Sequence, residues 1–291
     1  MPSSRRSISA KAASFAEFEM VDTALEAVLR RDRVIVAAAL VALIALAWAY
    51  VIWLATDMEM GGMDMSEFRM VPAGLGLMMP AGSPWPPIEF AYVFAMWAVM
   101  MVGMMTPSAT PIILIYARVG RQAASQQQPF AATSWFAGGY LLGWIGFALA
   151  ATVAQWGIER LGWLRTDMTV ANEIFGGIVL IAVGLYQWTP LKDVCLRQCQ
   201  APLHFIQKHG GFRADAGGSL ALGFRHGAYC IGCCWVLMAI LFVGGVMNVL
   251  WIAVITIFVL LEKLLLAGRL ISRFTGAGFL AAGVWLIARA L

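Results

Sequence analysis

Five cysteines offer the chemistry in this sequence, and their spacing is helical. Cys195 and Cys199 lie four residues apart, one helical turn, and so share a face. The run His226-Gly-Ala-Tyr-Cys230-Ile-Gly-Cys233-Cys234-Trp places an imidazole and three thiols within about 100° of one another on a helix. Met238 continues that face one turn further on. A soft metal ion needs several such donors converging within about 2.0–2.3 Å of one point. One helix cannot close such a site alone, so the 195–199 turn is the expected second contributor. The opposing reading is that cysteine is a small hydrophobe and is often simply buried. His204 and His209 follow in the same stretch and read as loop residues.

Sulfur is concentrated a second time. Twelve of the seventeen methionines fall between Met58 and Met105. The tract Asp57-Met-Glu-Met-Gly-Gly-Met-Asp-Met65 interleaves thioethers with acids, which draw cations. Further on, Met96, Met100 and Met104 form one stripe at i, i+4, i+8, with Met101 and Met105 alongside. Such a stripe also serves ordinary core or lipid packing. Thioethers select Cu(I) and similar soft ions. Methionine followed by cysteine makes a graded series of soft donors, so the expected cofactor is a metal ion, Cu(I) ahead of Zn(II).

The elements that must hold these side chains are transmembrane helices. Hydrophobic residues make up 61% of the 291 residues and charged ones 12%, half the share of a soluble domain. Apolar runs occur at about 34–55, 89–117, 132–157, 172–189, 227–247, 249–267 and 275–290. The expected fold class is therefore all-α, a polytopic bundle of about seven spans. The first run reads as an uncleaved signal-anchor. Pro107 and Pro111 are expected to kink or break the second. Glycines at 138, 139, 143, 176, 177 and 184 suggest close helix packing. With the N-terminus in the cytoplasm, sixteen Lys and Arg lie inside and four outside, which supports that orientation.

The expected organisation is a cytoplasmic amphipathic segment at 1–33 and the anchor at 34–55. An extracytoplasmic Met-rich loop follows at 56–88, then a six-helix membrane domain at 89–291 with a cytoplasmic Cys-containing loop at 190–226. Glu262 interrupts a span, and a charge there is usually paired or functional. It is expected to face the cysteine layer or to neutralise Lys192 or Arg225, while Lys263 snorkels to the interface. Asn248 reads as a helix cap.

The combination of MMTPSATP (104–111), QWTPLKDVCLRQCQAP (187–202), RHGAYCIGCCW (225–235), GVMN (245–248) and Glu262-Lys263 resembles a bacterial family of predicted metal-binding integral membrane proteins, a domain of unknown function. The resemblance covers roughly residues 89–268 and implies a multi-pass metal binder of the bacterial inner membrane. It names neither the metal nor an activity.

Three functions compete at this point. The leading one is a copper-handling carrier, delivery factor or transporter, with the bilayer and a metal-donor or acceptor protein as partners. The second is a transmembrane thiol–disulfide protein, in which Cys230 and Cys233 form a CxxC at a helix start, where the dipole lowers a thiol pKa. The third is an assembly factor stapled by zinc. No phosphate-binding glycine loop, nucleophile elbow or HExxH motif is present, and nothing points to nucleic acid.

Overall fold

A computed structural model describes residues 34–58, 68–74, 77–80, 83–127, 131–163, 172–265 and 267–291. The amphipathic segment at 1–33 and the methionines at 60, 63 and 65 lie outside the described residues.

The architecture is helical. Helix α1 (Val34–Met58) leads to a short antiparallel hairpin, β1 (Phe68–Met70) on β2 (Met78–Pro80), in which Arg69 faces Met79. There follow α2 (Pro87–Ser125), α3 (Thr133–Arg160), α4 (Glu173–Tyr186), α5 (Pro190–Gln200), α6 (Pro202–Lys208), α7 (Ala216–Gly244), α8 (Val249–Leu264) and α9 (Gly268–Ala290). Local signals place the ends. Asn172, Thr189, Asp215 and Asn248 each accept a backbone N–H from the first turn of α4, α5, α7 and α8, and Pro190 takes the first position of α5.

Among the described residues, five helices are long and apolar enough to cross a membrane: α1, α2, α3, α7 and α9. A sixth is reached only by joining α4 and α5, which meet at a bend of 65°. The expected count of about seven falls short at two places. The 14 residues of α4 and 16 of α8 rise about 21 and 24 Å, against a hydrocarbon core of about 30 Å. The expected break in α2 is absent, since one helix runs through Pro107 and Pro111. Hydroxyls return to the backbone there, Thr106 to the Val102 carbonyl at 2.6 Å and Thr110 to the Thr106 carbonyl at 3.0 Å. Asn248 caps α8 as its position suggested.

The bundle is built on backbone approach. Helices α3 and α7 pack along their length, and α2 lies on α3 and α8. A Cβ added at Gly139 would fall on the Leu220 carbonyl, and one at Gly223 on the Phe136 carbonyl. Helices α4 and α9 meet in the same way through Gly177, Gly184, Gly276 and Gly283. Gly138, by contrast, has nothing within 4 Å of a Cβ. Gly223→Val is therefore expected to cost about 1–3 kcal/mol or more through overpacking. Gly138→Val should leave the thermal midpoint in detergent unchanged. Equal midpoints for the two variants would contradict this interface.

Two buried sets of ion pairs lie at separate places in the bundle. Arg69 of the hairpin clamps Glu89 through Nε (2.6 Å) and Nη2 (2.8 Å), and reaches Glu159 at the end of α3 at 3.3 Å. This ties the described part of the 56–88 segment to α2 and α3. The second pair joins Lys192 of α5 to Glu262 of α8 at 2.6 Å, both fully buried. Gln187 accepts a hydrogen bond from Lys192 and another from Ser272 of α9 at 2.9 Å.

Candidate metal centre

Helix α7 begins at Ala216, about ten residues earlier than its apolar run suggested, because Asp215 caps it. His226 and the three cysteines therefore sit in the middle of a 29-residue helix rather than at its start. All four are buried. The 190–226 stretch expected as a loop is largely helix, made of α5, α6 and the first turns of α7.

Helix α5 lays the second pair of cysteines against α7. Their one-turn spacing brings both to it, but to different points. The Cys199 thiol lies within interaction range of Cys230 and Cys233. The Cys195 sulfur instead packs on Gly232, 2.8 Å from where a Cβ would stand, so only glycine admits it at this distance. Cys233 and Cys234 donate their thiols to the Cys230 carbonyl at 3.1 and 2.9 Å. Cys230 is the most connected of the set, with the Tyr140 hydroxyl of α3 at 3.2 Å from its sulfur and the Lys263 Nζ of α8 at 2.8 Å. All five cysteines are free thiols.

Lys263 overturns its expected place. It does not reach outward to an interface: only 5% of it is exposed, and it points among the thiols, with Cys234 Sγ at 4.0 Å and Ser108 Oγ of α2 at 3.3 Å. Glu262 takes the opposite direction and pairs with Lys192. Consecutive helical residues point about 100° apart, so one serves the sulfurs and the other the α5 ion pair.

Three aromatic rings surround His226: Phe205 at 5.0 Å between centroids, Tyr140 at 5.8 Å and Phe136 at 6.2 Å. Its Nδ1 is buried with no hydrogen-bond partner among the described residues. In the tautomer protonated at Nε2, this nitrogen is open to a ligand. His204 is exposed on α6, and the Nδ1 of His209 lies 2.8 Å from the Phe205 carbonyl, so neither joins the thiols.

Met96, Met100, Met101, Met104 and Met105 are all buried, so the α2 stripe faces the bundle interior. They share one contiguous core with Cys230, Cys233, Cys234 and Met238. The stripe approaches the thiols at its Met105 end, where Tyr140 donates to the Met105 carbonyl at 2.9 Å and stands beside Cys230. At the Met96 end, Trp97 donates to Gln155 at 2.7 Å and packs on Phe242.

No three His, Cys, Asp or Glu side chains among the described residues are arranged to hold a metal ion as they stand. The reason is local, since two thiols are spent on a carbonyl and one on Gly232. A soft monovalent ion asks less of the donor set than a divalent one. It is satisfied by two sulfurs, and Cys199 and Cys230 lie within interaction range of each other. Tyr140 and Lys263 were not legible as site residues. A tyrosine in an apolar run carries no positional signal, and a lysine near the end of a span reads as one that snorkels to the interface.

A sequence-family model described as a copper chaperone, PpoB2, matches residues 94–286. No curated protein and no solved structure matches the chain.

Proposed function

The chain belongs to the PpoB2 copper chaperone family, and from that premise we propose that it handles Cu(I) within the bilayer as a multi-pass protein of the bacterial inner membrane. The supporting observation is the meeting of Cys199 from α5 with Cys230 and Cys233 from α7, in the same core as the α2 methionines. In this reading the Met-rich segment at 56–88 captures the ion on the outer side. The 89–291 domain carries it along Met96, Met100 and Met104. Cys199, Cys230, Cys233 and Cys234, with His226 and Met238, receive it at the cytoplasmic end, while Cys195 holds α5 against α7 at Gly232. Exchange of thioether for thiolate supplies the downhill direction, because the anionic sulfur is the stronger ligand. Copper stays monovalent, and the thiol protons leave to water.

Full-length protein purified in detergent under reducing, anaerobic conditions and loaded with Cu(I) is expected to hold at least stoichiometric copper through desalting. Copper well below one per chain, unaffected by Cys230→Ser, would remove the proposal. The thiol–disulfide reading loses its main support, since the CxxC lies well inside α7 and away from the N-terminal dipole.

A further inference from the structure

We infer that Lys263 decides the charge of the ion the thiol site accepts: its buried ammonium makes a monovalent cation between two thiolates electrically neutral and leaves a divalent one with excess charge. The inference rests on the copper reading above and adds its specificity.

The ammonium has three hydrogens to place. They face Cys230 Sγ at 2.8 Å, Ser108 Oγ at 3.3 Å and, at the limit of contact, Cys234 Sγ at 4.0 Å. No carboxylate among the described residues lies within 4.0 Å of it. Glu262, the nearest in sequence, is committed to Lys192. A buried ammonium needs a counter-charge, and the groups within reach of Lys263 that can supply one are the sulfurs of Cys230 and Cys234.

Charge balance then sorts the cargo. Two thiolates beside one ammonium carry one net negative charge, which a monovalent ion cancels and a divalent ion overshoots. A divalent ion regains neutrality only by recruiting a third thiolate. Here that means stripping Cys233 or Cys234 from its bond to the Cys230 carbonyl. Where the surroundings are apolar, a bound ion's own charge dominates the local energetics, and the neutral assembly wins. In each case the thiols lose their protons to water as the metal–sulfur bonds form, and no electron moves. Removing the ammonium inverts the preference. Two thiolates then balance a divalent ion and leave a monovalent complex negative.

The test compares wild type with Lys263→Met, Lys263→Gln and Lys263→Arg, as full-length protein in detergent under reductant. Ag(I) serves as the monovalent soft probe and Cd(II) as the divalent one, with affinities read from thiolate-to-metal absorption against competing chelators. The Ag(I)-to-Cd(II) affinity ratio is expected to fall by about 10–100-fold in the two neutral variants and to return to within a few-fold of wild type in the Arg variant. An unchanged ratio in both neutral variants overturns the inference. If neither folds, stabilisation during purification by Cd(II) but not by Ag(I) reads the same preference. Rescue by both alike or by neither overturns it. Wild type that binds neither probe takes down the copper reading itself, and that is measured first.

Discussion

Serine in place of Cys230 is expected to weaken Cu(I) binding by at least about 100-fold, close to 3 kcal/mol, while serine at Cys195 should change it by only a few-fold. Both residues are cysteines at helical spacing, and only their surroundings separate them. Cys230 is the sulfur on which contacts converge: Cys199 from α5, Tyr140 from α3 and Lys263 from α8 all reach it. A hydroxyl there keeps the shape and loses both the soft ligand and the anion beside Lys263, so the loss reports on the thiolate rather than on packing. Cys195 meets α7 at Gly232, where its sulfur fills the space a side chain would take. Its truncation should therefore register in stability before it registers in affinity. Cys199→Ser is expected to follow Cys230→Ser, with Cys233 and Cys234 in between. Competition titration with a Cu(I) chelator of known affinity measures the series. Equal losses at Cys195 and Cys230 would show that contact with α7, and not convergence on Cys230, governs binding.

Glu262→Leu alone is expected to destabilise the protein by about 3–5 kcal/mol, because it strands a fully buried ammonium at Lys192. The double change Lys192→Met with Glu262→Leu should recover most of that loss. Two apolar side chains of similar volume need no desolvation, whereas the pair must recoup its own from a 2.6 Å contact and the hydrogen bond to Gln187. The consequence extends to the metal centre. Lys192 fastens α5 to α8, and α5 carries Cys199 to Cys230, so the single variant should also lower copper occupancy and the double variant restore part of it. Thermal unfolding in detergent across the four-protein cycle gives the coupling. Additive single and double effects would show that the two groups do not act as a pair in solution.

The sequence by itself determined the helical class, most of the apolar helices and the sulfur-rich faces. Those rest on periodicity and composition, which are local properties. The stripe Met96, Met100, Met104 and the face Cys230, Cys233, Cys234 follow from the helical repeat alone, and both are buried. Helix length was less legible. Asp215 starts α7 well before its apolar run, and beyond the Thr189-Pro190 corner the stretch expected as a loop continues as the helix α5. Tertiary structure alone decided which polar side chains serve the sulfurs. From the sequence, Glu262 is expected to face the cysteine layer or to neutralise Lys192 or Arg225, and Lys263 to reach the interface. In the fold their roughly 100° separation on α8 sends Glu262 to Lys192 and Lys263 to Cys230. Tyr140 and Ser108 join the same centre from two further helices, brought there by the glycine-mediated approach of α3 to α7 and by the packing of α2 on α3 and α8. A charge buried in an apolar bundle takes whatever partner the packing presents, and that partner is set by the angle and distance between helices, quantities that no stretch of neighbouring residues encodes.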